Sequence, residues 1–466
     1  MGDLEAIVKA YDVRGLVPDQ LDEHIGQALG AAAAEELVGS EDHAIVLGHD
    51  MRETSPALAD ALARGITARG LGVIHVGLVS TDALYFASGS LNLPGIMITA
   101  SHNPTGYNGM KFCRSGARPV SYDTGLRAMA ETARAELASA ARDQPGDDAL
   151  ISHRGVLTDY ARHLHSLVET TDLRALTVVV DAGNGMAGHT APVALDLPGL
   201  RVDPLYFELD GTFPNHDANP LDRTTLTDVR ARVVDTGADL GLAFDGDADR
   251  CFVIDETGEV VDPSLITALI AVRELYQVPG SVIVYNTITS RSVPEIVREH
   301  GGAAVRARVG HSHMKACMAE HEAIFGGEHS GHYYFRDFWR ADSGMLAALH
   351  VLVALGQAAP GITLSSLVSP YARYVASGEI NSVVDDVAAV TAAVEADLVD
   401  PVTDDVEVDR LDGVTLIAAE TDGRVPWWLN LRPSNTEPLL RLNVEAIDEP
   451  TMVRVRDRVL ATVRGL

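Results

Sequence analysis

The chain has 466 residues, 46% of them apolar, enough for three or four domains of roughly 150 residues each. Its 66 acidic residues outnumber 36 basic ones, and the net charge of −30 argues against nucleic acid or an anionic membrane as partner. No window reaches the about 18 consecutive apolar residues of a membrane span, and the opening MGDLEAIVKAYD lacks the basic-then-apolar order of a signal peptide, so a cytoplasmic location is expected.

The first strand-loop-helix unit opens at His43, HAIVLGHDMRETSPALADALARGITARG, where Ser55-Pro56 supply an N-cap and a first-turn proline. Further on, GIMITASHNP (95–104) runs an apolar strand into Ser101. That serine either begins an Asn-Pro turn or acts as a nucleophile or phosphate carrier at the carboxyl end of a strand, where open α/β sheets place their chemistry. Lys111 follows; with only three lysines in the chain (Lys9, Lys111, Lys315), one inside a motif reads as more than surface decoration. The polar stretch near 141–150 closes a first domain, 1–150. Cys113, Cys251 and Cys317 are far apart with no CxxC, as in reduced packing thiols.

A second unit opens at Leu176, LTVVVDAGNGMAGHTAPVAL. Its GNGMAG, with Asp203 about twenty residues on, matches the dinucleotide fingerprint, so an NAD-dependent oxidoreductase is an alternative. In FDGDADR, Asp245, Asp247 and Asp249 alternate, so their oxygens can converge on one hard cation. Counting as in an EF-hand puts Glu256 at the twelfth position. Arg250 however replaces the glycine that such a loop needs, and DLGLAF and CFVID read as strands, so a strand-to-strand Mg²⁺ loop is expected. This domain spans 151–257.

The third unit, SVIVYNTITSRSVPEIVREH from Ser281, belongs to a domain at 258–369 that also carries GEHSGH, 327–332. There a carboxylate (Glu328) and a hydroxyl (Ser330), with His332, suit the hydroxyls of a sugar. After 370 the pattern changes to strands and a closing helix, a smaller α+β domain at 370–466. Its RPSNTEP joins the planar donor fork of Arg432 to the short donors Ser434, Asn435 and Thr436, as in a phosphate cradle.

In this order, TASHNP, DGDADR, GEHSGH and RPSNTEP resemble the four active-site loops of the α-D-phosphohexomutase superfamily, in its phosphomannomutase/phosphoglucomutase branch. A phosphoglucosamine mutase of the same superfamily, usually with glutamine in place of His329, is an alternative. The resemblance implies an α/β fold: three related α/β domains with mostly parallel mixed sheets plus a smaller C-terminal α+β domain, around a central cleft. It implies a phosphoryl shift between the 1- and 6-positions of a hexose phosphate, mannose or also glucose, through phospho-Ser101 and a hexose 1,6-bisphosphate intermediate and activator. By the same resemblance Ser101, Asp245, Asp247 and Asp249 hold Mg²⁺, and His102 supports the serine loop. Lys111 and His311 are acid/base groups, and Arg14 and Arg250 steady the phosphoryl. Glu328, Ser330 and His332 contact the sugar, while Arg432, Ser434, Asn435 and Thr436 hold the phosphate that does not react. A monomer or weak homo-oligomer is expected. Lys111, among arginines, is expected to have a lowered pKa.

Overall fold

The computed structural model describes residues 4–139, 145–399, 405–421, 424–433 and 439–465, which form two compact units. One comprises the chain up to Val261 together with Ser330–Leu367; the other comprises Asp262–His329 and Val368–Leu466.

The first unit holds two mixed sheets. In one, Ala44–His49 is central and parallel to both Gly72–Leu78 and Gly95–Ile98, while Tyr107–Arg114 runs antiparallel to Gly95–Ile98 and to Val13–Leu16. Strands buried on both faces read as unbroken apolar runs, and the AIVL and GIMI segments do so because helices cover them. Ser55–Thr67 is one such helix. It begins one residue earlier than the sequence suggests: Thr54 is the N-cap, and the Ser55 hydroxyl donates instead to the buried carboxylate of Asp50, at 2.5 Å. In the second sheet Leu176–Asp181 lies parallel to Leu200–Leu205 and Leu240–Phe244, and Cys251–Asp255 turns back antiparallel to Leu240–Phe244. The strand-to-strand setting expected for the aspartate loop is thus present. Glu256 is no calcium ligand here: its carboxylate accepts from the Ser365 N–H at 3.1 Å and from the Ser365 hydroxyl. Helix Gly344–Gln357, buried at every position but the last, completes this unit.

In the second unit Val282–Asn286 lies parallel to Ala303–Ala307 and Phe325–Gly327. A separate antiparallel sheet runs Val375–Val383, Leu439–Ala446, Trp427–Pro433, Val414–Ala418, Val406–Asp409, with helices Val387–Leu398 and Glu449–Gly465 packed on it through Val390, Val394, Met452, Val455 and Val459. Three α/β modules and a smaller α+β module therefore match the expected fold class. The cysteines are free. Among the described residues no helix is long and apolar enough to cross a membrane.

Candidate active site

The strand Gly95–Ile98 ends in a loop whose Ser101 is buried and left-handed, with φ of 50°. Its hydroxyl donates to Asp245 Oδ2 at 2.9 Å and lies 3.2 Å from His102 Nδ1. The two loops meet at backbone level: a Cβ on Gly246 would stand 2.5 Å from the Ser101 carbonyl oxygen. Serine and aspartates, 144 positions apart, thus form one centre.

Asp245, Asp247 and Asp249 are all buried, and their ligand atoms lie within 4.8 Å of one another. Burial, then the like charges of Asp249 and Asp247, push the Asp245 carboxyl well above its ordinary range. Burial also acts upward on Asp249, but the Lys111 ammonium and His332 outweigh it and hold that carboxyl low. One oxygen of Asp247 and one of Asp249 are buried without a hydrogen-bond partner. Hard oxygen donors under mutual repulsion, with orphaned lone pairs, fit a divalent cation such as Mg²⁺.

Lys111, in register with Met97, places Nζ 2.7 Å from Asp247 and 2.6 Å from Asp249. This corrects the expected pKa. Burial alone would lower it, but the two carboxylates outweigh burial and hold the ammonium well above the usual lysine value. Its nearest charges are acidic and favour the charged ammonium. His102 moves the other way: burial, then Arg250 and Arg14, keep it well below the ordinary histidine value and neutral.

Arg14 donates to Asp12 at 2.5 Å and to the Asn103 side chain in the serine loop. Arg250 Nε donates to His332 Nε2 at 2.9 Å, and His332 Nδ1 lies 2.9 Å from Asp342. His332 is therefore tied to Arg250 and Asp342, beside the aspartate loop.

In the second unit, Glu328 accepts from the Asn286 amide at 3.0 Å and the Gly310 N–H at 3.1 Å, which ties it to the start of helix His311–Glu320. Asn286, at the end of Val282–Asn286, had no sequence signal. Arg432 donates to Glu379 at 3.0 Å. Ser330 lies in the first unit; Ser434, Asn435 and Thr436 lie outside the described residues.

Other residues of the centre also escaped sequence reading. The Thr81 hydroxyl donates to Asp247 at 2.5 Å. Next to it, buried Asp82 accepts from Ser80, from Tyr160 at 2.6 Å and from Ser343 at 2.6 Å.

The NAD alternative fails on the same geometry. The amides of the GNGMAG loop are spent internally: Asn184 donates to Tyr206, Gly185 to Ala182 and Met186 to Gly246. A Cβ on Gly185 would meet the Gly246 carbonyl at 2.7 Å, so this glycine serves packing against the aspartate loop. Asp203, the would-be ribose ligand, holds Arg232 at 2.8 and 3.0 Å.

Comparison with known proteins agrees. Phosphoglucomutase/phosphomannomutase alpha/beta/alpha domains I, II and III match residues 5–138, 158–258 and 262–374, and the C-terminal domain of the same family matches 379–462. The chain is 40% identical over 463 residues to the phosphomannomutase of Salmonella typhimurium, covering 97% of each. It is 39% identical over 458 residues to a protein described as phosphohexose mutases from Xanthomonas campestris, covering 98% of each. A solved phosphoglucomutase/phosphomannomutase family protein from Burkholderia thailandensis superposes with a TM-score of 0.85 at 30% identity, over 100% of this chain and 98% of that one. Buried serine, aspartate trio and four matched modules lead to one assignment: the chain belongs to the phosphoglucomutase/phosphomannomutase family.

Proposed function

We propose that this phosphohexose mutase interconverts mannose 6-phosphate and mannose 1-phosphate, with glucose phosphates as further substrates, using Ser101 as phosphoryl carrier. The observation that carries the reading is the Ser101 hydroxyl held 2.9 Å from Asp245 in a buried centre that also contains Lys111 and Arg250.

In the first half-reaction the bond between phosphorus and Ser101 Oγ breaks as one forms to the free sugar hydroxyl. That hydroxyl's proton passes to a base, for which His311 is our candidate. The departing Ser101 Oγ takes up a proton from water, and the product is a hexose 1,6-bisphosphate; after it turns, the other phosphate returns to Ser101 Oγ, which gives up its proton, while the sugar oxygen left behind regains one from the base. Asp245, Asp247 and Asp249 would hold Mg²⁺, which when bound supplies Lewis-acid neutralisation of phosphoryl oxygens. Phosphoryl transfer asks mainly for positioning and charge stabilisation, which this chain supplies through Lys111, Arg14 and Arg250. Glu328, Ser330 and His332 are proposed for the sugar, and Arg432 with Ser434, Asn435 and Thr436 for the idle phosphate. Three free thiols and a small anionic substrate suit a reducing cytoplasm.

Two measurements test this. Intact mass after incubation with glucose 1,6-bisphosphate should show one phosphoryl group on the wild type and none on Ser101→Ala. A coupled assay should show turnover of mannose 1-phosphate, compared with glucose 1-phosphate, that Ser101→Ala abolishes. A Ser101→Ala protein with wild-type turnover would overturn the reading.

A further inference from the structure

A left-handed, non-glycine Ser101 persists only where its surroundings over-determine it. They do so largely through one side chain, Arg52, which is 4% exposed. Its Nη2 donates to the carbonyl oxygens of Ser101 at 2.9 Å and Asn103 at 2.6 Å. Nη1 donates to those of Pro104 at 3.1 Å and Tyr107 at 3.0 Å. Three carbonyls of the loop and that of Tyr107, the first residue of the next strand, thus converge on one guanidinium, whose charge faces Asp50 at 3.4 Å.

The far side is closed as well. The Arg52 guanidinium carbon lies 5.1 Å from the centroid of Phe213. A Cβ on Gly211 would come within 2.8 Å of Arg52 Cα. Thr105, in the serine loop, donates to the carbonyls of Gly211 at 3.3 Å and Thr212 at 3.0 Å, so loop and clamp rest on the same segment.

We propose that Arg52 is a positioning residue for phosphoryl transfer: without touching substrate, it fixes the backbone of the Ser101 loop so that the seryl oxygen stays beside Asp245. This rests on Ser101 being the carrier. A planar fork with five donors can satisfy four divergent carbonyls, whereas the three donors of a lysine radiate from one point and cannot. In a trans peptide the C=O and the next N–H point opposite ways, so drawing the Ser101 carbonyl onto Arg52 also sets the direction of the His102 amide.

The test uses the full chain with Mg²⁺ and measures three things: the rate at which glucose 1,6-bisphosphate loads Ser101, followed by intact mass; kcat and KM for mannose 1-phosphate; and the thermal midpoint. For Arg52→Lys we expect loading and kcat to fall about 100-fold, the cost of a misplacement near 1 Å, with KM within about twofold. Phe213→Leu removes the aromatic platform while keeping the guanidinium, and should lower both rates about tenfold. Methylguanidinium added to Arg52→Ala should restore part of the loading rate, which a merely destabilised protein would not show. The proposal falls if Arg52→Lys loads at the wild-type rate. It falls equally if the losses track the unfolded fraction, without methylguanidinium rescue and with Phe213→Leu behaving as wild type. A wild type that never loads removes the carrier reading and this proposal together; a wild type that loads alongside unaffected variants removes this proposal alone.

Discussion

Replacing Lys111 by methionine takes one ammonium away from two carboxylates, Asp247 and Asp249, whose side chains are 0% and 3% exposed. Methionine keeps most of the length and apolar contact of the stem, so charge and donors are what is lost. Removing one partner of a buried pair costs about 3–5 kcal/mol, because the charge left behind is stranded. Here both stranded carboxylates also face Asp245, which already resists ionisation. The metal-free variant should therefore lose about 3–5 kcal/mol of unfolding free energy at pH 7, read from urea transitions in EDTA. Saturating Mg²⁺ should recover most of that loss, since it returns positive charge to the same oxygens and binds only the folded state. Because the folded pKa of Lys111 is raised, its contribution is complete below the unfolded value of about 10.4 and disappears as pH rises through the folded one. The gap between wild type and variant should accordingly persist across neutral pH and close in strong alkali. With Mg²⁺ present, kcat should drop about 100-fold or more if, as proposed, Lys111 is a preorganised cation for the phosphoryl group. Lys111→Arg, which retains the charge, should lose much less stability. Coincident wild-type and Lys111→Met transitions in EDTA, or a gap that Mg²⁺ leaves unchanged, would refute the view of Lys111 as counter-ion of the trio.

Gly246→Ala should lower kcat about 100-fold with secondary structure retained, because its Cβ would lie 2.5 Å from the Ser101 carbonyl oxygen and force the two loops apart; circular dichroism beside the coupled assay checks both halves. Asp82 is pushed up to about 6 by burial, against hydrogen bonds from Ser343, Ser80 and Tyr160. A raised carboxylate pKa means stability present in acid is lost as pH climbs from about 4 through 6, by about 3 kcal/mol for this group. The wild-type slope over that window should be absent from Asp82→Asn, as measured by urea unfolding at a series of pH values. Because burial and its like-charged neighbours push the Asp245 carboxyl up, Mg²⁺ should bind more tightly as pH rises and release protons on binding; calorimetry in buffers of different ionisation enthalpy measures it, and Asp245→Asn should reduce the release.

Ser101, Lys111 and the aspartates were legible because each sits in a short stretch whose residue types have few other uses, bounded by strands whose apolar runs are unmistakable. The residues that fix their geometry were not. Thr81 reaches Asp247 across 166 positions and Ser343 reaches Asp82 across 261, and no local pattern encodes such pairs. Arg52 follows Asp50 in an ordinary turn, and only the folded chain brings four carbonyls to it. The direction of the Lys111 pKa is hidden in the sequence for the same reason: arginines are prominent in the neighbouring motifs, but the nearest charges are the carboxylates of a distant loop. Helix Val387–Leu398 and strand Val406–Asp409 carry little sequence signal, because an alanine-rich stretch with polar flanks has little periodicity.

Because Ser343 closes the shell around Asp82 and helix Gly344–Gln357 is almost wholly interior, the unit that bears Ser101 is finished by a stretch of chain made long after it. A ribosome delivers the serine and all three aspartates before Asp342 and Ser343 exist. A gene fragment stopping at Val261 would leave Asp82 short of a donor and the surface meant for that helix bare. The serine-bearing unit therefore cannot be excised as one contiguous piece, and nascent chains halted between residues 261 and 343 are the ones for which a chaperone would matter most.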